Sequence, residues 1–229
     1  FVDIDYQTLN IDVNKVEEAI TTKTKLIVPV HYAGVSCDMD KIMAIADKYN
    51  LVVVEDAAQA YGSRYKNKSL GTIGHLGTLS FHATKNVISG EGGALLVNKR
   101  EFIEAAEIIR EKGTNRKKFL SGQVDKYTWQ SIGSSFLPSE LITSFLFGQL
   151  ENSEYIEATR LLIWNNYFQL TKDLENQGYI KRPFIPNYCK HNGHMFYLIL
   201  REDINREKVI NECKKLGINI TFHYIPLHL

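Results

Sequence analysis

The chain has 229 residues, 44% of them apolar and 23% charged, which excludes a disordered or low-complexity protein and leaves ample material for a core. Its 27 basic side chains nearly cancel its 26 acidic ones, so a net charge of +1 gives no electrostatic footprint for nucleic acid or an anionic membrane. No apolar run reaches the roughly 18 residues of a membrane span, and the first residues lack the basic and apolar regions of a signal peptide, so the cytoplasm is the expected compartment.

Cys37, Cys189 and Cys213 are scattered without CxxC spacing, which argues for reduced thiols and against zinc or a disulfide framework. The chain opens on Phe1 rather than methionine and stops soon after Pro226-Leu227-His228, which reads as a segment of something longer.

In chain order, Val13, Val16, Ala19 and Ile20 give one apolar face to a helix predicted over residues 12–21. Leu26 to Val30 reads as a buried strand. Residues 38–49 form a second amphipathic helix with Met39, Ile42, Met43, Ala46 and Tyr49 on one side. Leu51 to Val54 is an apolar strand of the kind covered on both faces. Further strands are predicted over 77–82 and 93–98, then a helix over 100–112 closed by Gly113. Residues 127–138 are irregular, and 139–176 read as one or two long helices ending near Gly178. Beyond them, 195–200 and 218–222 read as strands around a capped helix at 205–216.

This rhythm predicts an α/β fold, a mostly parallel sheet flanked by helices. Residues 1–175 would form the large domain and 176–229 the start of a smaller α+β domain, with no internal repeat.

In open α/β sheets, ligands bind beyond the carboxyl ends of the strands. Three such places carry chemistry: His31-Tyr32-Ala33-Gly34, Glu55-Asp56-Ala57-Ala58-Gln59-Ala60, and His82 with Lys85. Asp56 either caps a helix directly after it or faces a protonated ring nitrogen, since a buried carboxylate without a positive partner costs several kcal/mol. The small Ala57 and Ala58 would let a flat ring approach the backbone. Lys85, between a strand end and the glycine-rich Gly90-Glu91-Gly92-Gly93 turn, is either a solvated surface residue or a covalent cofactor anchor. A Schiff-base lysine with an acidic partner for a pyridinium nitrogen is what pyridoxal phosphate chemistry requires. Ser80 is an ordinary strand serine or a hydroxyl donor to a phosphate.

The glycine turn is no dinucleotide fingerprint, because it lies between two strands. The basic run from Arg110 to Lys118 is a solvated helix end or a neighbour of a nucleotide diphosphate. His31, His82, His223 and His228 lack metal-site spacing with a carboxylate, and no metal is expected.

Residues 54–60 (Val-Glu-Asp-Ala-Ala-Gln-Ala), 80–86 (Ser-Phe-His-Ala-Thr-Lys-Asn) and 90–93 resemble the signature blocks of the DegT/DnrJ/EryC1/StrS family of pyridoxal phosphate-dependent nucleotide-sugar aminotransferases. The likeness extends to residues 29–34, 110–116, 125–129 and 222–228, in the family's order. It implies a fold type I (aspartate aminotransferase-like) architecture and pyridoxal 5'-phosphate as cofactor. Lys85 would carry the cofactor and move a proton, Asp56 would hold the ring nitrogen protonated, Gln59 would meet the phenolic oxygen, and Ser80 the phosphate. Ala58 would line the ring.

Many relatives bring an asparagine from a neighbouring subunit to the phosphate, and Ser135 stands at that place here. His31, Tyr32, His82, His223 and Tyr224 would border the substrate. The resemblance further implies a homodimer and transfer of an amino group from glutamate to C4 of a dTDP-4-keto-6-deoxy sugar, for a cell-surface polysaccharide of the enterobacterial common antigen type. A UDP-linked or C3-keto substrate, or an incompetent fragment that only associates with a partner subunit, are the alternatives. The family's phosphate cup and stacking aromatic precede the first residue of this chain.

Overall fold

The computed structural model describes residues 1–223 and Ile225. Two short 3-10 turns, Val13–Lys15 and Glu17–Ala19, stand where the apolar spacing predicts a helix. Asp12 caps the first turn by accepting from the Asn14 N–H, but the β-branched Val13, Val16 and Ile20 disfavour a helix, and only Val16 of the segment is buried. Val13 and Ile20 pack on the same core only partly buried, so the apolar stripe is held shallowly.

Strand β1 (Leu26–Ile27) ends before Pro29, which has no N–H for a ladder, and pairing resumes only as a single bridge from Val30 to Asp56. Helix α1 (Met39–Tyr49) starts where predicted: the Asp38 carboxylate accepts from the Lys41 N–H at 3.4 Å, and Asn50 closes the helix at φ +51°. Next come β2 (Val52–Asp56) and the hairpin strands β3 (Arg64–Tyr65) and β4 (Lys68–Ser69), joined through Lys66 and Asn67, both at positive φ. Strands β5 (Leu76–Ser80) and β6 (Gly93–Val97) flank the lysine-bearing loop.

Helix α2 (Ile103–Arg110) stops two residues before the predicted end, and the Gly113 N–H closes it onto the Ile108 carbonyl at 2.8 Å. Helices α3 (Arg116–Leu120), α4 (Glu140–Glu151), α5 (Ser153–Leu170) and α6 (Lys172–Asn176) follow, and then β7 (Ile180–Lys181), β8 (Cys189–Lys190), β9 (Ile199–Leu200) and α7 (Arg206–Lys215). Asn205 caps α7 by accepting from the Lys208 N–H at 2.9 Å.

The strand predicted over 195–200 contracts to β9. The carbonyls of His194 and Met195 instead accept from Arg160 and from the Trp164 indole of α5, so they are not offered to a neighbouring strand. No strand is assigned among the described residues of 218–222.

The main sheet has the order β1-β2-β5-β6. Its first three strands are parallel, with Leu26 opposite Val52 and Asp56 opposite Thr78, while β6 returns antiparallel from Ser80↔Gly93 to Leu76↔Val97. A mostly parallel sheet with helices is thus formed, and the carboxyl ends of β1, β2 and β5 share one edge. Met39, Ile42 and Ala46 of α1 bury themselves with Val53, Leu51, Ile27 and Val16. Each fully buried aliphatic side chain stabilises the fold by roughly 1.5–3 kcal/mol, and Ile42→Ala is expected to cost about 2–5 kcal/mol.

Gly77 in β5 is forced by a crossing backbone: a Cβ there would lie 2.1 Å from the Gly71 carbonyl oxygen. A second, three-stranded antiparallel sheet runs β4-β3-β8, pairing Tyr65 with Cys189. It explains why the domain division differs from a single break after residue 175.

The first compact unit is Phe1–Asn165 with Phe184–Phe196, because the returning segment supplies β8. The second comprises Asn166–Pro183 and the chain from Tyr197 onward, and contains the antiparallel pair β7-β9. Within it the Arg182 guanidinium lies 3.9 Å from the Phe168 ring centre and 2.7 Å from a Glu175 carboxylate oxygen.

Candidate active site

The sequence-predicted residues Tyr32, Asp56, Ala58, Gln59, Ser80, His82 and Lys85 all fall on or just past the carboxyl ends of β1, β2 and β5 in the first unit. Asp56 is the last residue of β2. Its backbone accepts the His31 N–H at 3.0 Å, and its Oδ1 accepts the Ala58 N–H at 3.1 Å. That contact is a local turn of the chain rather than a helix cap, since no helix comes directly after it. The other carboxylate oxygen has no hydrogen-bond or ion-pair partner among the described residues.

Ser80 ends the neighbouring strand β5, two residues beyond the Thr78 that faces Asp56. Its Oγ accepts the His82 N–H at 3.3 Å, which leaves the hydroxyl proton to be donated.

Lys85 lies in the loop between β5 and β6, held by its own N–H to the His82 carbonyl at 2.9 Å. The side chain is half-buried. Its amine has no hydrogen-bond or ion-pair partner among the described residues, so the charge is neither fully solvated nor neutralised. His82 turns the same loop: its Nδ1 is 2.9 Å from the Thr84 hydroxyl, and its Nε2 is 3.7 Å from Glu91.

The remaining predicted residues are placed differently. Gln59 spends its side-chain oxygen on the Ala33 N–H at 2.6 Å, joining the loops after β1 and β2. Tyr32 receives a backbone anchor from the Asn10 side chain at 2.9 Å.

His31 is a correction to the expected substrate contact, because it is wholly buried with both ring nitrogens engaged. Nδ1 accepts the Cys37 N–H at 3.2 Å, which puts the ring proton on Nε2, 3.0 Å from Glu55. Ser135 is exposed, bridged to Glu111 on a strap behind α2. His223 is exposed in the second unit, and Tyr224 lies outside the described residues.

Sequence reasoning gave no role to four polar residues that hold these loops. Glu55 is fully buried and accepts from the N–H groups of Gly71, Ile73 and Gly74 at 2.8, 2.6 and 2.6 Å, besides meeting His31. Burial alone would raise its pKa. The hydrogen bonds from His31, Gly74 and Gly71 outweigh that and leave it lowered.

Asn10 donates to the Val35 carbonyl at 3.0 Å, and Asn86 and Asn192 meet across the site. The only signal in the sequence was the polar His-Asn-Gly-His run at 191–194, just before an apolar stretch. Among the described residues no group of three His, Cys, Asp or Glu is arranged to hold a metal, and no helix is long and apolar enough to cross a membrane.

A parallel α/β sheet whose strand ends present an accessible carboxylate, a hydroxyl and an unpaired half-buried lysine defines the fold type I class of pyridoxal phosphate proteins. The chain belongs to the DegT/DnrJ/EryC1/StrS aminotransferase family, whose model matches residues 1–229.

It is 48% identical over 231 residues to the pleiotropic regulatory protein of Geobacillus stearothermophilus, covering 100% of this chain and 59% of the relative. It is also 31% identical over 230 residues to the GDP-perosamine synthase of Caulobacter vibrioides, covering 100% of this chain and 60% of that protein. Among solved structures it is similar to Helicobacter pylori PseC, an aminotransferase involved in the biosynthesis of pseudoaminic acid, with a TM-score of 0.89 and 27% identity over 100% of this chain and 60% of that one. The chain therefore spans about 60% of the length of these relatives.

The family uses pyridoxal phosphate, and the residues present fit it: an acid oxygen, a hydroxyl proton and an amine are all left open at adjacent strand ends.

Proposed function

We propose that the protein to which this chain belongs is a pyridoxal phosphate-dependent aminotransferase acting on a nucleotide-linked keto sugar. The observation that carries the reading is the half-buried, unpaired Lys85 amine past the end of β5, next to a strand whose terminal Asp56 has a free carboxylate oxygen. Pyridoxal phosphate supplies an electron sink through which an amino group can pass between two carbons.

Asp56 would keep the ring nitrogen protonated, because an adjacent carboxylate favours a positive charge in a low-dielectric site. Ser80 would donate its hydroxyl proton to the phosphate. Lys85 Nζ would anchor the group and then serve as the base that takes a proton from one carbon and returns it to the other. Ala57 and Ala58 would bring the β2 backbone close to the ring, and Gln59 would hold the β1 loop at its edge. Tyr32 and His82 would border the sugar, Ser135 would face the phosphate of a partner's site, and His223 and Tyr224 are proposed as substrate residues from the motif block at 222–228 alone.

The finer assignment is a dTDP-4-keto-6-deoxy sugar aminated at C4 with glutamate as donor, in the cytoplasm, for a surface polysaccharide such as enterobacterial common antigen. It rests on a resemblance to the dTDP-sugar members of the family, with which the Gly133-Ser134-Ser135-Phe136-Leu137 pattern is shared. A second copy of the chain is the proposed partner. The strap before α4 and α4 itself carry Trp129, Ile132, Phe136, Leu141 and Phe147 exposed, Ile132 at 91% and Leu141 at 84%, and α4 buries none of its residues. An apolar face of this kind marks an association surface.

The test uses the full-length protein. Borohydride treatment after loading with the cofactor should fix its mass on the peptide containing Lys85, and Lys85→Ala should abolish amino transfer. Turnover by Lys85→Ala would overturn the reading. A panel of dTDP-, UDP- and GDP-linked 3-keto and 4-keto sugars with glutamate then assigns the acceptor. Sedimentation of the same protein as a monomer would give the α4 face to the rest of its own chain.

A further inference from the structure

We propose that Asn192 is a positioning residue for Lys85: through Asn86 it locks the lysine-bearing loop onto the loops that follow β1 and β2. The proposal rests on the reading of Lys85 given above. Asn192 is fully buried, and every polar atom of its side chain is used. Its Nδ2 donates to the carbonyls of Gln59 at 2.9 Å and Tyr61 at 2.8 Å, both in the loop after Asp56. Its Oδ1 accepts the His194 N–H at 3.0 Å and sits where a Cβ on Gly34 would be, 2.1 Å from that position. Its own carbonyl accepts the Asn86 side chain at 2.9 Å.

Asn86 is the residue after Lys85, and it too is fully committed. Because its Nδ2 donates to Asn192, its Oδ1 is the acceptor for His194 Nδ1 at 2.9 Å. Both ends of one amide are therefore held by residues more than a hundred positions away. The segment carrying them is itself anchored, since the His194 carbonyl accepts from Arg160 at 2.7 Å and the Met195 carbonyl from Trp164 at 3.1 Å.

Three strand-end loops thus meet at one buried residue: the loop after β2 through the Asn192 side-chain amide, the Lys85 loop through its backbone carbonyl, and the loop after β1 by the packing of Gly34 against Oδ1. Beyond the Asn86 contacts to this segment, the loop bearing Lys85 is held by internal hydrogen bonds, among them Ala83 N–H to Gly90, Lys85 N–H to His82 and Ser89 N–H to Phe81, so the position of residues 192–194 sets where the loop sits. A reacting amine must be kept in register with the group it serves, and small displacements cost much of the rate.

The experiment compares full-length wild type with Asn192→Ala, Asn86→Ser and a core control, Ile42→Ala in α1, each prepared without cofactor. Hydrogen exchange is followed at the amides of Ala83, Lys85 and Ser89 and at those of α1. Losing two or more buried side-chain hydrogen bonds should speed exchange at the three loop amides by about tenfold or more in both asparagine variants, with α1 unchanged. The control should do the reverse. In cofactor-loaded samples, the pH midpoint of the visible absorbance should move by about one unit in the asparagine variants and stay put in the control.

Loop exchange at the wild-type rate in both variants overturns the proposal. So does loop exchange that rises only together with α1, or an unmoved absorbance midpoint despite a loosened loop. The exchange result is obtained without cofactor, so borohydride failing to mark Lys85 would sink the functional reading while leaving the clamp measurable.

Discussion

Glu55 and His31 meet at 3.0 Å between Oε2 and Nε2 with neither side chain reaching solvent, one from the strand that delivers Asp56 and one from the loop after β1. The carboxylate also gathers three backbone N–H groups from residues 71–74, so a single side chain sets the turn before β5 against β2. Register between Asp56 and Thr78, and hence the placement of Ser80, depends on that turn.

Glu55→Ala should therefore destabilise the protein by about 3–5 kcal/mol, the usual loss when one partner of a buried charged hydrogen-bond cluster is removed. His31→Ala should fall in the same direction, and the double variant should cost much less than the sum, because both break one cluster. Urea midpoints of the four proteins at pH 7 check this. Additive losses would mean that Glu55 works through its backbone donors alone.

The same cluster makes the fold acid-sensitive. The Glu55 pKa is lowered from the ordinary 4.5 despite burial, chiefly by the hydrogen bonds from His31, Gly74 and Gly71. A carboxylate with a folded pKa below its unfolded one contributes stability that is complete above about pH 4.5 and is lost as pH falls through the folded value. Denaturation followed from pH 6 down to pH 3 should show a loss below about 4.5 in wild type that is reduced in Glu55→Gln. An identical acid limb in the variant would assign the loss to other carboxylates.

Much of the site was legible because strand ends announce themselves. The run of valines at 52–54 fixes where β2 lies, and by simple counting Asp56 then falls at the end of β2 and Lys85 past the end of β5. The Asp38 and Asn205 caps were readable for the same local reason. What escaped is long-range. His31 looked like a ligand contact because nothing near it in sequence reveals Glu55, 24 residues away, and the partners of Asn192 in the strand-end loops, Asn86, Tyr61 and Gln59, lie 106 to 133 residues away. The helix expected at 12–21 failed through burial: periodicity records which side is apolar, but only Val16 is fully buried, while Val13 and Ile20 meet the core partly exposed.

Gly34 should tolerate no side chain. Its φ of +78° is a glycine conformation, and a Cβ would stand 2.1 Å from Asn192 Oδ1 and 3.1 Å from the Gln59 carbonyl. Gly34→Ala is expected to cost about 2–4 kcal/mol, combining backbone strain with displaced hydrogen bonds. Thermal unfolding measures the loss, and it should shrink in an Asn192→Ala background where the clash is absent. Equal losses in both backgrounds would place the cost in the backbone alone.

His191 supplies a second, separable pH effect at milder acidity. Its ring lies 4.4 Å from that of Trp164, its Nδ1 accepts the Gly193 N–H at 3.2 Å, and burial pushes its pKa down from 6.5 to about 4. The folded state therefore resists a proton that the unfolded chain takes readily. Stability from this residue is intact above the unfolded value of 6.5 and declines as pH drops below it, until the folded ring also protonates near 4. Between pH 7 and pH 5 the decline should be about 2 kcal/mol. His191→Phe keeps an aromatic ring against Trp164 but cannot be protonated, so it should lose about 1 kcal/mol at pH 7 through the missing acceptor and then decline less toward pH 5. Urea midpoints at the two pH values give both numbers. Because Glu55 titrates below 4.5, it contributes nothing to this window, and a variant that tracks wild type from pH 7 to 5 would show that the His191 ring is free to protonate in the folded protein.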